Sequence, residues 1–317
     1  MSSVTLPEAA KLSQDELVGG VIENIIEVDQ LFTVLPFMLL TGNVFVNEED
    51  TPGDVNTFLG VGDTITAKNP ATFTPRGFGM TIISGDAEVN GLFEATRRSG
   101  PYSQSAIQLS SKAKHVARIF RYLMIYGDSV EPFQFDGLAN LVDPARQLDT
   151  AGAEGFDLTL DFLDELGDQI IAKDGKVDYY IMAAITRRTF RRRLRQLGGA
   201  SIGEVKELPD GTEVPAYNNA GVFRNDYIRT DVVKGMNNNT TSVFAGTFDD
   251  GSGKAGLSGL MPLEAEPFEV VELGPAEAKD EDIWRVKWYA GLALFDRGGL
   301  AEYQGINASS FSIEPPF

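Results

Sequence analysis

Apolar residues in this sequence change period several times, and each change marks an expected element. Leu17, Val18, Val21, Ile22, Ile25 and Ile26 recur at helical spacing and form a broad apolar stripe. Ser13 and Glu16, just ahead of them, have the spacing of a capping box, in which each side chain takes the other's backbone N–H. A helix is therefore expected to start there, weakened at Gly19 and Gly20. An acidic segment with one apolar face, lying ahead of the first compact region, needs a surface to lie on; an ordinary core helix fits the same pattern. Over residues 42–75 the period is lost, and turn signals at 51–54, 60–63 and 68–70 punctuate a Gly-rich, polar stretch. About thirty residues is too long for a structureless loop inside a compact domain. Alternation at Val44 and Val46, with Val55, Leu59 and Val61 further on, predicts a two-stranded excursion projecting from the body. Such a hairpin is marginal by itself and implies a neighbour to dock against; a disordered surface insertion is the alternative.

Strand pieces are expected at 80–83 and 87–90. Ser105 and Gln108 form a second capping box, and Leu109, Ala113, Val116, Phe120 and Leu123 are spaced four, three, four, three. This predicts a helix over 105–126, ended by Gly127 and about 30 Å long at about 1.5 Å per residue. Beyond it the pattern predicts a helix over 158–171, a strand over 177–185 and a helix over 186–197, with Thr186 as N-cap and Gly198-Gly199 as the stop. Further strands are expected at 214–223, 241–248 and 268–273. Trp284, Val286 and Trp288 alternate with Arg285 and Lys287, as in a strand with one buried face. The class is α+β, without an internal repeat or low-complexity tract.

Composition narrows the function. At 317 residues, and about 150 residues per domain, two lobes are expected, and 43% apolar with 23% charged residues can bury a core. There is no cysteine, which excludes disulfides, thiolate metal sites and a cysteine nucleophile, and suits assembly in a reducing cytoplasm. The first residues lack the pattern of a signal peptide, and no apolar run is long enough for a membrane span. A net charge of -19 argues against a protein whose main task is neutralising DNA phosphates, since that affinity needs clustered Lys and Arg. Catalytic patterns fail. His115 is the single histidine, so histidine-based zinc sites and Ser-His-Asp triads lack partners. Residues 251–255 lack the first Gly and final Ser/Thr of a phosphate loop and read as a hairpin tip. Asp249-Asp-Gly251 lacks the ligand pattern of a calcium loop, and no carboxylate pair stands out for acid and base work. Neither a metal nor a cofactor is expected. One cationic cluster remains: Arg187, Arg188, Arg191, Arg192, Arg193 and Arg195, with Phe190, Leu194 and Leu197 on one side of the same helix. Contact with nucleic acid is one reading. Pairing with carboxylates of the same chain or a neighbour is the other, and an acidic chain favours it.

The order of these parts resembles the major capsid proteins of tailed bacteriophages, the Hong Kong 97 family. Leu6-Pro-Glu-Ala-Ala-Lys-Leu-Ser-Gln14, the helix after it and Leu35-Pro-Phe37 look like the N-terminal arm. Ile82-Ile-Ser-Gly-Asp86 with Glu88 looks like the strand before the long spine helix. Phe135-Asp-Gly-Leu138, the 186–194 segment, Trp288-Tyr-Ala-Gly-Leu-Ala-Leu-Phe295 and Gly305-Ile306 are similar to later family segments, so the likeness spans nearly the whole chain.

The resemblance implies an N-terminal arm (1–41), an extended β-hairpin loop (42–85), a peripheral domain with the spine helix (86–145), an axial domain (146–275) and return strands of the peripheral domain (276–317). It implies a homo-oligomer of pentamers and hexamers in an icosahedral head. That head would enclose double-stranded DNA without reading its sequence, have no membrane, and be assembled in the host cytoplasm into the virion. Portal, scaffold and decoration proteins are the implied partners; with the arm starting near Met1, a separate scaffold or none is expected. Candidate intersubunit contacts are Leu17, Val21, Ile25, Lys68, Arg187, Arg191 and Arg195. Some family members cross-link Lys to Asn; Lys68 lies in the loop, but no partner can be assigned and the bond is not expected. An encapsulin shell is the alternative within the fold, and a monomeric acidic hydrolase the alternative outside it.

Overall fold

A computed structural model describes residues 3–5, 29–42, 44–51, 53–54, 58–92, 104–150, 152–172, 175–196, 204–209, 211–253, 255–263 and 268–308. The chain opens with β1 (Ser3–Thr5), β2 (Pro36–Leu40), β3 (Val44–Thr51), β4 (Thr72–Phe78) and β5 (Met80–Asn90). Then come α1 (Gln104–Tyr126), α2 (Leu138–Leu141), β6 (Gln147–Asp149), α3 (Leu160–Ile171), β7 (Tyr179–Met182) and α4 (Ala184–Gln196). The remainder is strand: β8 (Glu204–Glu207), β9 (Glu213–Tyr217), β10 (Ala220–Arg224), β11 (Val232–Lys234), β12 (Asn237–Gly246), β13 (Leu257–Pro262), β14 (Phe268–Pro275), β15 (Glu281–Leu294) and β16 (Leu300–Asn307).

These strands form three sheets among the described residues. A six-stranded sheet has the order β1-β2-β13-β15-β14, with β5 also on β15. An eight-stranded sheet runs β6-β16-β12-β7-β10-β9-β8, with β11 on β12, and β3 and β4 pair alone. The helix predicted from the four-three spacing is α1, and the residues of that spacing are its buried stripe. It begins one residue before Ser105, which therefore lies inside the first turn and is not its cap. The Trp284 to Trp288 alternation is the middle of β15, where Val286 and Trp288 are fully buried.

Two cores result. In the larger, Phe120 of α1 lies 4.6 Å from Trp288 of β15, ring to ring, with Phe32, Phe37 and Phe135 around them at 5.6–6.3 Å. Residues 31–40, within the span expected for the arm, pack into this core: Phe32 and Leu35 are fully buried, and β2 pairs with β13. Gly259 of β13 makes room, because a Cβ there would strike the Phe37 ring. In the smaller core, Leu163, Leu166 and Ile170 of α3 and Phe190 and Leu194 of α4 cover one face of the eight-stranded sheet. Residues of β7 alternate between the two cores, Tyr179 and Ile181 to one and Tyr180 and Met182 to the other.

Several expected boundaries move. The 80–83 and 87–90 pieces are one strand, paired with β15 over eleven residues. The 214–223 strand is a hairpin, turned at Asn218 (φ 49°) and Asn219 (φ 65°), the left-handed pair that a tight two-residue loop requires and that Asn tolerates. Residues 251–255 are not a hairpin tip: β12 and β13 lie in different sheets, and this loop carries the chain between them. Thr186 is not the N-cap of α4; the helix starts at Ala184, where the Arg187 N–H donates to the Ala183 carbonyl at 2.9 Å, and Thr186 is buried in the first turn. The Ser13 helix and the Gly198-Gly199 stop lie outside the described residues.

Phe120→Ala should lower stability by about 3–5 kcal/mol, because the rings around Trp288 cannot close over so large a void. Urea unfolding followed by circular dichroism measures this; a loss below about 1 kcal/mol would contradict the central place given to the pair.

Candidate assembly surfaces

The β3–β4 hairpin is held at one end only. At its root Val44 pairs with Phe78, which is buried, and Val44, Val46 and Met80 pack against the larger core. The ladder runs out to the Thr51–Thr72 pair, roughly 25 Å at about 3.3 Å per residue. Beyond it the two arms stay together: the Asp54 N–H donates to the Asn69 carbonyl at 3.0 Å, and the Asn69 amide donates to the Asp54 carboxylate. The tip closes as a turn in which the Gly60 N–H donates to Asp63 Oδ2 at 2.6 Å, with Gly62 at φ 94°. The second arm is therefore 72–78, and residues 58–61 of the expected strand piece lie at the tip. The apolar residues of the tip are uncovered: Phe58 is 93% exposed and Ile65 62%, and Leu59 and Val61 are exposed with them. Lys68 lies on this loop, exposed, without an ion pair among the described residues.

A second uncovered pair, Val130 and Phe133, follows α1. Phe133 has φ 66°, a conformation bulky residues seldom hold, and the Thr81 hydroxyl donates to its carbonyl at 2.5 Å. Neither Phe133 nor Phe58 was singled out in the sequence; an aromatic residue within a turn-rich stretch is the signal that marks both.

Helix α4 separates its arginines. Arg193 turns toward the chain entering α3, donating to the Leu158 carbonyl at 3.3 Å and lying 3.7 Å from Asp157. Arg188, Arg191, Arg192 and Arg195 are exposed and have no carboxylate partner among the described residues. Arg187 is half-buried; burial holds its guanidinium below the ordinary pKa, Arg191 and Arg224 add repulsion, and Asp29 and Asp226 oppose them. Among the described residues, an ion pair is thus found for Arg193 and for none of the four exposed arginines. Leu17, Val21 and Ile25 lie outside the described residues, and nothing links Lys68 to α4 among those that are described.

Between the two cores an ion pair is buried. Arg121 Nε of α1 lies 2.6 Å from Asp29 Oδ2, and Asp29 Oδ1 accepts the Leu31 N–H at 3.0 Å. Arg121 also donates to the Arg224 carbonyl at the end of β10, lies over the Tyr227 ring, and has its own carbonyl bonded by Asn225. Residue 29, the long helix and the eight-stranded sheet are tied together at one point. Burial raises the Asp29 pKa, against the pull of Arg121 and the Leu31 amide.

His115 is exposed on α1, and the described residues hold no group of three or more His, Asp or Glu placed for a metal. A cleft of about 270 Å³ beside α3 contains Asp164 and Asp168, but Asp164 already accepts the Tyr217 hydroxyl at 2.8 Å and the Asn218 amide at 3.3 Å. Among the described residues no helix is long and apolar enough to cross a membrane.

No family model matches the sequence, and no curated protein matches it. Solved structures do. The chain is similar to the encapsulin of a holo-SrpI complex from Synechococcus elongatus, with a TM-score of 0.66, 16% identity and 90% of each chain covered. It is similar to a structure from Mycobacterium phage Bobi, with a TM-score of 0.57, 11% identity and 90% of this chain and 91% of that one covered. The capsid of a native GTA particle gives 0.56 and 10%, over 84% of this chain and 86% of that one. The class is thereby defined: this chain has the Hong Kong 97 fold, an α+β fold of capsid shells.

Arg121→Met should cost about 3–5 kcal/mol at pH 7, because it leaves the buried Asp29 carboxylate unpaired. Without Arg121, burial is opposed by the Leu31 amide only and raises the Asp29 pKa further above its ordinary 3.8, so the folded state binds a proton that the unfolded state releases. That makes the variant less stable as pH rises through this window, so the penalty should shrink from pH 7 toward pH 4. Urea midpoints at the two pH values measure it, and an equal penalty at both would contradict the assignment.

Proposed function

We propose that this chain is the major capsid subunit of a tailed bacteriophage, self-assembling into the pentamers and hexamers of an icosahedral head around double-stranded DNA. The observation that carries this is the β3–β4 hairpin: its root is built into the core, while Phe58, Leu59, Val61 and Ile65 at its far end are uncovered by any of the described residues. Apolar side chains grouped on a projecting hairpin call for a docking surface on another copy. In this reading the hairpin is the extended loop, α1 the spine helix of the peripheral domain, and residues 146–275 the axial domain around which copies gather. The net charge of -19 suits a shell whose lining must not hold a packaged polyanion. Portal, scaffold and decoration proteins would be its partners during assembly in the host cytoplasm.

An encapsulin-type compartment is the second reading, favoured by the TM-score of 0.66 to an encapsulin against 0.57 and 0.56 for the phage and GTA structures. The contents of purified particles separate the two, nucleic acid for the head and protein cargo for the compartment.

Phe58→Ser, Val61→Ser and Ile65→Ser combined should leave stability within about 0.5 kcal/mol per site, since exposed side chains contribute little to the isolated fold. The same variant should sediment as small species where the parent sediments as particles. Particles in normal yield would refute the docking role of the tip.

A further inference from the structure

We propose that the arginine face of α4 is one half of a head-to-tail contact between copies, and that the outward carboxylates of α3 in the next copy, Asp161, Glu165 and Asp168, are the other half. The proposal rests on the shell reading and names an interface within it. Both helices cover the same face of the eight-stranded sheet, where α3 packs over β12 and β16 and α4 over β10. Arg193 points toward the start of α3; at 3.6 residues per turn, Arg187, Arg191 and Arg195 then lie on the opposite flank of α4. On α3, Glu165 accepts the Tyr303 hydroxyl of β16 at 3.0 Å and so lies on the side of the β6 edge, while Asp161 and Asp168 project outward beside it, Asp168 at the rim of the cleft that Asp164 also lines. A second copy set alongside in the same orientation brings the arginine flank of one against the carboxylate flank of the other. Repetition of such a contact closes into a ring when the rotation permits.

The two ridges match in length. Arg188 to Arg195 and Asp161 to Asp168 each span eight residues, about 10 Å along either helix. All seven side chains are exposed, and none forms an ion pair among the described residues. Like charges three and four residues apart weaken a helix, so each ridge is a cost to the isolated subunit that an opposite ridge removes. A polyanion is the less suitable occupant, because one lying across this face would meet the α3 carboxylates beside the arginines.

The test uses the full chain, with sedimentation, electron microscopy and the 260/280 nm absorbance ratio of the particles. Replacing the four arginines (R188E, R191E, R192E, R195E) should leave melting near the parent value and cut particle yield at least tenfold. D161K, E165K and D168K should do the same from the other side, which keeps the test decisive if one set misfolds. A chain carrying both sets restores the pairing with the signs exchanged, and its yield should return to within about twofold of the parent. Normal particles from either single set overturn the contact and leave the shell reading intact, and failure of the combined chain to recover overturns the pairing with α3. Unchanged particles that lose only their nucleic acid overturn it in favour of a nucleic-acid face. A parent chain that never assembles overturns both readings.

Discussion

The contact on which the rest of the structure depends is the packing of Phe120 against Trp288. It sets the long helix across β15, and β15 pairs with β13, β14 and β5, so the whole six-stranded sheet is referred to that one ring contact. Strand β5 follows β4 after a single residue, and Phe78 at the end of β4 belongs to the same core. The hairpin is therefore cantilevered: one end inherits the rigidity of the core, and the other carries apolar groups beyond the reach of the other described residues. A hairpin of this kind has little stability of its own and gains it only by docking.

The long helix and β15 were legible because each buries one face, and one-sided burial writes its period into the sequence. The second arm of the hairpin was not, since β4 is exposed along most of its length and nothing selects an alternating pattern in a strand without a buried face. Strand β7 was expected over 177–185 and is shorter, Tyr179–Met182, because all four of its residues are buried between two cores and no alternation marks its ends. The path from β12 to β13 could not be read at all, because which sheet a strand joins depends on partners far away in sequence, such as Gly259 with Phe37.

For the candidate surfaces, sequence showed composition and structure showed supply. Six arginines in nine residues were visible from the start; that Arg193 is the one of them in an ion pair among the described residues was not, because pairing depends on where Asp157 lies relative to the helix. The apolar tip was mistaken for strand positions, since Leu59 and Val61 have the right residue types for a strand and differ only in having nothing above them. Among the described residues, the uncovered apolar groups on the hairpin and the charges without an ion pair on two helices are of different chemistry, yet in the proposed shell a second copy would relieve both.

That shared property makes assembly the central claim, and particle formation by the full-length chain, expressed with and without the genes beside it, tests it most directly. Sedimentation and electron microscopy should find closed, uniform shells. A chain that remains at its monomer mass of 34.4 kDa under every condition would contradict it.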